Sequence, residues 1–198
     1  MTERAERRAE VLRDTRETEI HLKLDLDGSG VAEIATGIGF LDHMLDALTR
    51  HSRMDLTLEC KGDLEIDDHH TAEDCALALG MGLDQALGDR RGIKRFGWAM
   101  APLDEALARA VIDISGRPHA VIDLGLKRTM IGEIAAENLS HVLHSLATAA
   151  KMTLHVRVLE GDNDHHRVEA AFKATALALR QAIALDVHND IPSTKGVL

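Results

Sequence analysis

Hydrophobic and polar residues alternate over residues 18–26, and this period of two predicts a β-strand. Asp27-Gly28-Ser29-Gly30 follows as a turn signal, so residues 31–36 are expected to return beside that strand as a hairpin. Apolar residues then recur at helical spacing over residues 40–48. The same reasoning predicts a strand over 56–60, a short strand around Leu64 and Ile66, and a helix that opens at Asp67 and runs to Leu87.

The second half of the chain repeats this order. Its predicted elements are a strand over 107–114, a turn at Ser115-Gly116-Arg117-Pro118, a returning strand over 120–124, a helix over 138–150, a strand over 152–158 and a helix from Gly161 through Ala184. One unit alone has too little apolar area for a core, so both are expected to pack together. The predicted fold class is α+β, a single domain with an internally duplicated strand-helix-strand-helix unit. The predicted division is a charged N-terminal arm over 1–16, a first repeat over 17–91 and a second repeat over 92–198.

Composition narrows the classes of partner. Acids outnumber bases 33 to 23, the formal charge is −10, and the chain has three Phe, one Trp and no Tyr. Nucleic-acid binding usually needs a basic surface and aromatic rings, so no nucleic-acid partner is expected. Two cysteines without metal-type spacing and a charged N-terminus suggest a cytoplasmic protein. No apolar run approaches the roughly 20 residues that span a bilayer, so no membrane partner is expected.

Histidine is the residue type that stands out, with 12 in the chain. Asp68-His69-His70-Thr71-Ala72-Glu73 opens one predicted helix, and Asp164-His165-His166-Arg167-Val168-Glu169 opens another, 96 positions later (165 − 69). His43 and His141, each on the preceding predicted helix, differ by 98 positions (141 − 43). Self-similarity at a nearly fixed offset indicates internal repetition, which makes coincidence a weak explanation of either copy.

The spacing within each motif predicts two metal sites. Residues four apart in a helix lie about 40° apart on one face, whereas adjacent residues lie about 100° apart. His69 and Glu73 therefore point together, and His70 points aside. Two metals can share these ligands if the repeats face each other across a pseudo-twofold axis, within one chain or across a subunit boundary. The predicted ligand sets are His69, Glu73, His141 and His166 for one metal, and His165, Glu169, His43 and His70 for the other. Imidazole and carboxylate donors without sulfur suit Mn, Fe, Co or Zn.

Several longer segments carry a resemblance to a known family. They are Arg16-Glu17-Thr18, Gly39-Phe40-Leu41-Asp42-His43-Met44-Leu45, Gly62-Asp63-Leu64, Asp68-His69-His70-Thr71-Ala72-Glu73-Asp74, Gly92-Ile93-Lys94-Arg95-Phe96-Gly97, Ser115-Gly116-Arg117-Pro118, Thr153-Leu154-His155, Asn163-Asp164-His165-His166-Arg167-Val168-Glu169-Ala170-Ala171-Phe172-Lys173-Ala174 and Pro192-Ser193-Thr194-Lys195-Gly196. On these residues the chain resembles the imidazoleglycerol-phosphate dehydratase family of histidine biosynthesis. Three departures, Ser52, Met54 and Lys151, lie outside the proposed ligands, and family members often carry Gly at the position of Lys151.

The resemblance implies a reaction, a metal and an assembly. The reaction removes water from imidazole glycerol phosphate to give imidazole acetol phosphate, with two manganese ions held by the eight ligands above. The implied fold has helices packed between two mixed sheets, in a 24-subunit homo-oligomer whose active sites form between chains. The substrate-binding positions that carry over are Glu17, His51, Arg95, Arg117, Lys173, Ser193, Thr194 and Lys195.

The reaction breaks a C–H bond with no adjacent carbonyl, so the imidazole ring of the substrate is its only electron sink. The hypothesis is that two metals hold this ring as a bridging imidazolate, and that hydroxide then leaves to give a diazafulvene-like intermediate. Glu17 is the candidate acid/base, and His69 and His70 complete the predicted catalytic set. For the substrate phosphate, Arg95, Arg117 and Lys195 would supply positive charge, and Ser193 and Thr194 would supply hydroxyl groups.

Two other classes of protein share some of these features. A dinuclear metallohydrolase also uses paired metals, and a metal–metal distance of about 4 Å would favour that class. A metal-storing or scaffold oligomer would use metal only to join subunits and would not need phosphate-binding residues. The remaining histidines, which are expected to be solvated or hydrogen-bonded, are His21, His119, His144, His155 and His188.

Overall fold

The chain forms ten strands and four helices in the computed structural model, which describes residues 6–198. In chain order they are β1 (Arg8–Asp14), β2 (Thr18–Asp25), β3 (Ala32–Ala35), α1 (Gly39–Ser52), β4 (Asp55–Gly62), α2 (His69–Leu87), β5 (Phe96–Leu103), β6 (Ala106–Asp113), β7 (His119–Asp123), β8 (Met130–Ile131), β9 (Ile134–Ala135), α3 (Ala136–Ala149), β10 (Thr153–Glu160) and α4 (Asp164–Ile183). One cluster of buried apolar side chains runs through both halves, so the predicted single α+β domain is confirmed.

Two four-stranded sheets have the same strand order. The first is β1-β2-β4-β3 and the second is β5-β6-β10-β7. In each sheet the last strand runs parallel to its neighbour, and the other pairs are antiparallel. Each parallel pair is connected through a helix, α1 or α3, because parallel neighbours need a crossover that returns the chain to the same end of the sheet.

The expected hairpins are wrong in both halves. β4 lies between β2 and β3, and β10 lies between β6 and β7. The predicted turns do end β2 and β6, and each following strand runs back in the opposite direction. It lies one strand position away, however, and β4 or β10 fills that position after the helix. The strand expected around Leu64 and Ile66 is also wrong, because these residues form a turn in which the Ile66 N–H donates to the Asp63 carbonyl.

The N-terminal arm expected over residues 1–16 is wrong for Arg8–Asp14, which forms the edge strand β1. Its side chains are mostly charged, and Val11 is its buried residue, at 5% exposure. Arg13 donates a hydrogen bond of 2.6 Å to Asp74 and thereby fastens the strand to α2. Residues 1–5 of the expected arm lie outside the described residues. A second strand that the sequence analysis did not predict is β5 (Phe96–Leu103).

The helices lie between the two sheets, as the resemblance implied. α1 and α2 pack on the first sheet, α3 and α4 pack on the second, α1 contacts α4, and α2 contacts α3. Ile20, Leu22 and Leu24 of β2 point into this layer and are at most 2% exposed. The N-terminal turns of α2 and α4, which carry the His-His motifs, therefore face α3 and α1. Within residues 6–198, every helix is too short or too polar to cross a lipid bilayer.

Candidate metal centres

The first cluster lies between α2 and α3. His69 and Glu73 are one turn apart on α2, and His141 faces them from α3. Nε2 of His141 lies 3.0 Å from Oε1 of Glu73, and Nε2 of His69 lies 3.8 Å from Oε2. The two imidazole rings stack with centroids 5.0 Å apart. One donor atom from each of the three side chains lies within 4.8 Å of the other two, so one metal ion can contact all three.

The second cluster has the same composition and lies between α1 and α4. Nε2 of His43 and Nε2 of His165 lie 3.1 Å and 3.3 Å from the same oxygen of Glu169. The side chain of Asn163 accepts the backbone N–H of His165 and caps α4. This cap starts the helix just before the motif, and His165 and Glu169 therefore project from one face.

Each cluster contains three of the four ligands predicted for it. The missing ones are His166 and His70, which lie outside both three-residue groups. Within one chain, the shared ligand sets of four are not assembled, and they stay a prediction for contacts between chains. Two imidazoles and a carboxylate, without sulfur, suit Mn, Fe, Co or Zn and leave coordination positions open for further ligands.

His70 lies beside the first cluster and is oriented by a carboxylate. Its Nδ1 lies 3.0 Å from Oδ2 of Asp63, and this hydrogen bond raises the pKa of His70. On the other side of the ring, Nε2 lies 3.7 Å from Oε1 of Glu17. The rings of His69 and His70 are 6.1 Å apart between centroids. The structure thus brings the three predicted catalytic residues together at the start of α2.

A polar network holds the loop that carries Glu17. The hydroxyl of Thr15 accepts the backbone N–H groups of Glu17 and Thr18. The Thr18 hydroxyl donates to Asp74 at 2.5 Å, and Arg13 donates to the other oxygen of the same carboxylate at 2.6 Å. Because Asp74 is only 4% exposed, these donors take the place of water around its charge. Sequence reasoning did not single out Asp74.

His166 is held in a similar way in the second half. Its Nδ1 lies 2.8 Å from Oε2 of Glu105, which raises the pKa of His166. The same contact, together with the backbone N–H of Asn163, lowers the pKa of Glu105 to about 2. Nδ1 faces a carboxylate in both His70 and His166, which leaves Nε2 as the nitrogen available to a metal. Glu105 lies far from the motif along the chain, so no local pattern could have indicated it.

Two predicted substrate-binding residues lie beside the second cluster. Nζ of Lys173 lies 2.6 Å from Oε1 of Glu169. Burial raises the pKa of Glu169, but the Lys173 ammonium and the His43 contact outweigh burial and leave that pKa below its usual value. The pKa of His51 is lowered mainly by burial of the ring and, to a smaller extent, by the positive charge of Lys173. The neutral form of His51 is therefore favoured.

Arg95 lies at the opposite end of α4. Its guanidinium donates to Asp113 and to the Pro192 carbonyl, each at 2.7 Å, and its backbone N–H donates to the Ala182 carbonyl. Ala182 is 13 positions beyond Glu169 (182 − 169), which corresponds to about 20 Å along the helix. The structure therefore does not bring Arg95 to the second cluster of the same chain.

The other residues predicted to bind phosphate lie near Arg95. The Ile114 N–H donates to the Arg95 carbonyl, and the turn that follows carries Arg117. Leu198 at the C-terminus packs against Gly116 in this turn. Ser193, Thr194 and Lys195 follow Pro192, whose carbonyl Arg95 binds. A group of cations and hydroxyls thus forms at one end of the second sheet.

The fold and the two clusters define a class of protein: an α+β domain with paired His–carboxylate sites suited to divalent metal ions. The family model described as imidazoleglycerol-phosphate dehydratase matches residues 36–179. The chain belongs to this family, as its sequence motifs predicted.

Individual relatives agree with this assignment. An imidazoleglycerol-phosphate dehydratase of Lachancea kluyveri is 52% identical over 217 residues, which cover 98% of this chain and 94% of that protein. One from Phytophthora nicotianae is 59% identical over 192 residues, which cover 97% of this chain but 42% of the relative, so the chain spans less than half of that protein. The solved structure of the Pyrococcus furiosus protein has a TM-score of 0.82 and 37% identity, and covers 95% of this chain and 100% of its own. The Staphylococcus aureus dehydratase has a TM-score of 0.81 and 33% identity, and covers 90% and 99%.

Proposed function

We propose that this chain removes water from imidazole glycerol phosphate to give imidazole acetol phosphate, a step of histidine biosynthesis. One observation carries the proposal: two matching three-donor clusters lie between the helices, and Glu17 and His70 form a pair beside the first. The names of the relatives support the same reaction. A cytoplasmic location belongs to the proposal, and both cysteines, Cys60 and Cys75, are free thiols, as is usual in reducing compartments.

The clusters are the proposed sites of two manganese ions per active site. When bound, these ions would supply Lewis-acid polarisation of the substrate ring, which stabilises its imidazolate form. In each cluster two imidazole nitrogens and a carboxylate oxygen already converge. The fourth ligands would be His166 for the cluster of His69 and His70 for the cluster of His165. Since neither lies at that cluster within one chain, a neighbouring copy would supply it.

Glu17 is the proposed acid/base. Its side chain is 53% exposed, so a substrate can reach it, and its carboxylate lies 3.7 Å from Nε2 of His70. In the proposed sequence the ring first loses its N–H proton, and hydroxide leaves the adjacent side-chain carbon to give a diazafulvene-like intermediate. Glu17 then accepts a proton from the neighbouring carbon, the ring nitrogen regains one, and the resulting enol becomes the ketone. The net loss is one water.

The active site is proposed to form between chains of a homo-oligomer, for which 24 subunits is the expected number. The Ala182 carbonyl, which accepts the backbone N–H of Arg95, lies about 20 Å along α4 from Glu169, and this distance supports an active site between chains. A small phosphorylated imidazole cannot contact the second cluster and the Arg95 group of the same chain at once. The cations and hydroxyls of Arg95, Arg117, Ser193, Thr194 and Lys195 would then bind the phosphate of a substrate held at another copy's metals.

The test is turnover of imidazole glycerol phosphate by the purified chain, with and without Mn²⁺, scored as ketone formation. We expect metal-dependent turnover that Glu17→Gln nearly abolishes while two manganese ions remain bound. Glu19→Gln is the matched control, because Glu19 is exposed and lies two residues away in the same segment. This control should retain full activity.

Other results would contradict specific parts of the proposal. Full activity of Glu17→Gln would remove Glu17 from the mechanism. Release of inorganic phosphate without ketone would instead identify a dinuclear hydrolase. Metal binding and subunit assembly without any turnover would identify a metal-storing or scaffold oligomer. Sedimentation before and after chelation would show whether metal joins the subunits.

A further inference from the structure

A chain of hydrogen bonds orients the ring of His69 in the first cluster. The Asp68 carboxylate accepts the backbone N–H of Ala135 at 2.7 Å and the side-chain amide N–H of Asn138 at 2.9 Å. The amide oxygen of Asn138 lies 2.9 Å from Nδ1 of His69. Asn138 is 4% exposed, so little water competes for its amide. This hydrogen-bond relay, which runs from Asp68 through Asn138 to His69, therefore joins the start of α2 to α3 directly behind a ring of the first cluster.

This relay selects one tautomer of His69. A carboxylate only accepts hydrogen bonds, so the NH₂ group of Asn138 faces Asp68 and its oxygen faces His69. Nδ1 of His69 must then carry a proton and donate it. The lone pair of Nε2 is left on the side of Glu73, where a metal ion would be bound. One imidazole ligand of the first cluster, His69, is thus oriented for a metal before any ion binds.

The second cluster has an aromatic ring in place of this amide. Phe40 corresponds to Asn138 at the same offset of 98 that relates His43 to His141 (138 − 40). The Phe40 ring meets the His165 ring at a steep angle, with centroids 5.0 Å apart, and offers no hydrogen-bond acceptor. Across residues 6–198, the hydrogen bond found for the His165 ring involves Nε2 and not Nδ1. A carboxylate only accepts hydrogen bonds, so this contact favours the tautomer of His165 that carries its proton on Nε2, the nitrogen that faces the cluster.

A lysine is the second difference between the clusters. Nζ of Lys173 lies 2.6 Å from Oε1 of Glu169, whereas the position corresponding to Lys173 in the first half is Leu77 (173 − 96). A metal ion bound to Glu169 must share that carboxylate with a cation and is repelled by its charge. Over the described part of the chain, the ion-pair partners of Glu73 are histidines only.

We propose that the first cluster binds divalent metal more tightly than the second and fills first. Asn138 is the positioning residue that produces this order, and Lys173 weakens the second site. The inference rests on the metal-binding part of the proposed function and adds the order in which the two sites are occupied. It also implies that at limiting metal each chain holds one ion, between α2 and α3.

The test is a titration of the full-length, chelator-treated chain with Mn²⁺, in which free Mn²⁺ is followed by electron paramagnetic resonance. The unaltered chain should bind two ions per chain in two steps. Asn138→Leu should weaken the tighter step by about 10- to 100-fold, the usual cost of losing a residue that orients a ligand, and leave the weaker step unchanged. Lys173→Met should act in the opposite direction and tighten the weaker step by about 3- to 10-fold.

Two further variants make the comparison specific. Phe40→Leu alters the corresponding position in the other half and should move neither step by more than about 2-fold, because Phe40 orients no ring nitrogen. Asp68→Ala leaves the buried Asn138 in place but frees its amide to rotate, and should weaken the tighter step by about 3- to 10-fold. Because Asp68 is only half-buried, Asp68→Ala is expected to fold and therefore tests the relay even if Asn138→Leu fails to fold.

The proposal is overturned if the unaltered chain binds two ions with equal affinity. It is also overturned if Asn138→Leu or Asp68→Ala weakens both binding steps equally. The same holds if either variant changes the affinity of the tighter step no more than Phe40→Leu does. These failures leave the proposed reaction standing as long as the unaltered chain forms ketone with Mn²⁺. If the unaltered chain binds no metal and forms no ketone, the proposed function itself fails.

Discussion

The two metal clusters use the same residue types on corresponding helices, yet their surroundings differ. An acid, Glu17, and the ring of His70 adjoin the first cluster, whereas Lys173 and His51 adjoin the second. The two halves have the same strand order, so the backbone positions both triads alike. Apart from His70, these neighbours (Glu17, Lys173 and His51) lie outside the repeated motif. We infer that equal ligand sets serve different tasks, with proton transfer beside the first cluster and anion binding beside the second.

The largest expected effects come from removing the carboxylate of either cluster. Glu73→Gln and Glu169→Gln should each lose one manganese ion per chain and lower turnover by at least about 10³-fold, because each metal is expected to supply several kcal/mol of charge stabilisation. Metal analysis and a turnover assay check this. Glu65→Gln, at an exposed turn position, is the control. Activity that survives in only one of the two variants would show that the proposed reaction needs only one cluster.

The parts of the site that sequence could predict are local. A four-residue spacing on a helix and the offsets of 96 and 98 positions are properties of the chain itself, and both triads were predicted from them. Helical periodicity likewise predicts α2 and α4 to within a few residues. The motif His-His-x-x-Glu also predicts that His70 and His166 point away from their own helix's cluster, and in the structure both lie outside it.

The remaining features depend on contacts between distant segments. No local pattern places β4 between β2 and β3, because a turn signal does not say which strand becomes the neighbour. Strand β1 has one buried residue, Val11, among charged ones, and its periodicity is therefore too weak to detect. Asn138 beside His69 and Glu105 beside His166 are through-space pairs. No local pattern in the sequence indicates either pair.

The next largest effect concerns the buried charge of Asp74, which has no charged counterpart at the corresponding position of the second half. Asp74 accepts from Arg13 and Thr18 at 4% exposure, and the corresponding position in the second half is Ala170 (170 − 74 = 96). Asp74→Asn should lower the free energy of unfolding by about 3 kcal/mol, because it leaves the Arg13 charge without its partner. Urea unfolding of the metal-free chain measures the loss. Asp14→Asn, on the exposed end of β1, should change stability by less than about 0.5 kcal/mol, and an equal loss in both variants would contradict the argument.

A smaller effect is expected where a loop approaches the first sheet. Oδ1 of Asp55 accepts the backbone N–H groups of Val31, Ser29 and Gly30 at 2.8 to 2.9 Å, and these bonds lower the pKa of Asp55. Asp55→Asn should cost about 2 kcal/mol at pH 7, since hydrogen bonds to a charged acceptor are lost. A folded-state pKa below the ordinary 3.8 means that this stabilisation is present above about pH 4 and is lost as pH falls through the lowered value.

The corresponding corner of the second sheet provides the control. Thr153 begins β10 as Asp55 begins β4, and its hydroxyl lies 3.5 Å from the Ser115 hydroxyl in a neutral contact. Thr153→Val should therefore cost less than about 1 kcal/mol, with no dependence on pH between 7 and about 3.5. Unfolding curves at several pH values compare the two variants. A loss for Asp55→Asn that does not shrink as the pH falls would show that the carboxylate charge is not what holds the loop.

The smallest effect tests a feature that the two halves share. Arg53 after α1 and Lys151 after α3 correspond at an offset of 98 (151 − 53), and both have positive φ, 68° and 52°. A side chain costs about 1 kcal/mol in this left-handed region, whereas glycine adopts it freely, which accounts for the glycine that family members often carry in place of Lys151. The ion pair of Lys151 with Asp84, at 2.6 Å and with the lysine side chain 56% exposed, offsets only part of this cost. Lys151→Gly should therefore raise the free energy of unfolding by about 0.5 kcal/mol in urea, and a loss of stability would show that the contact with Asp84 outweighs the backbone strain.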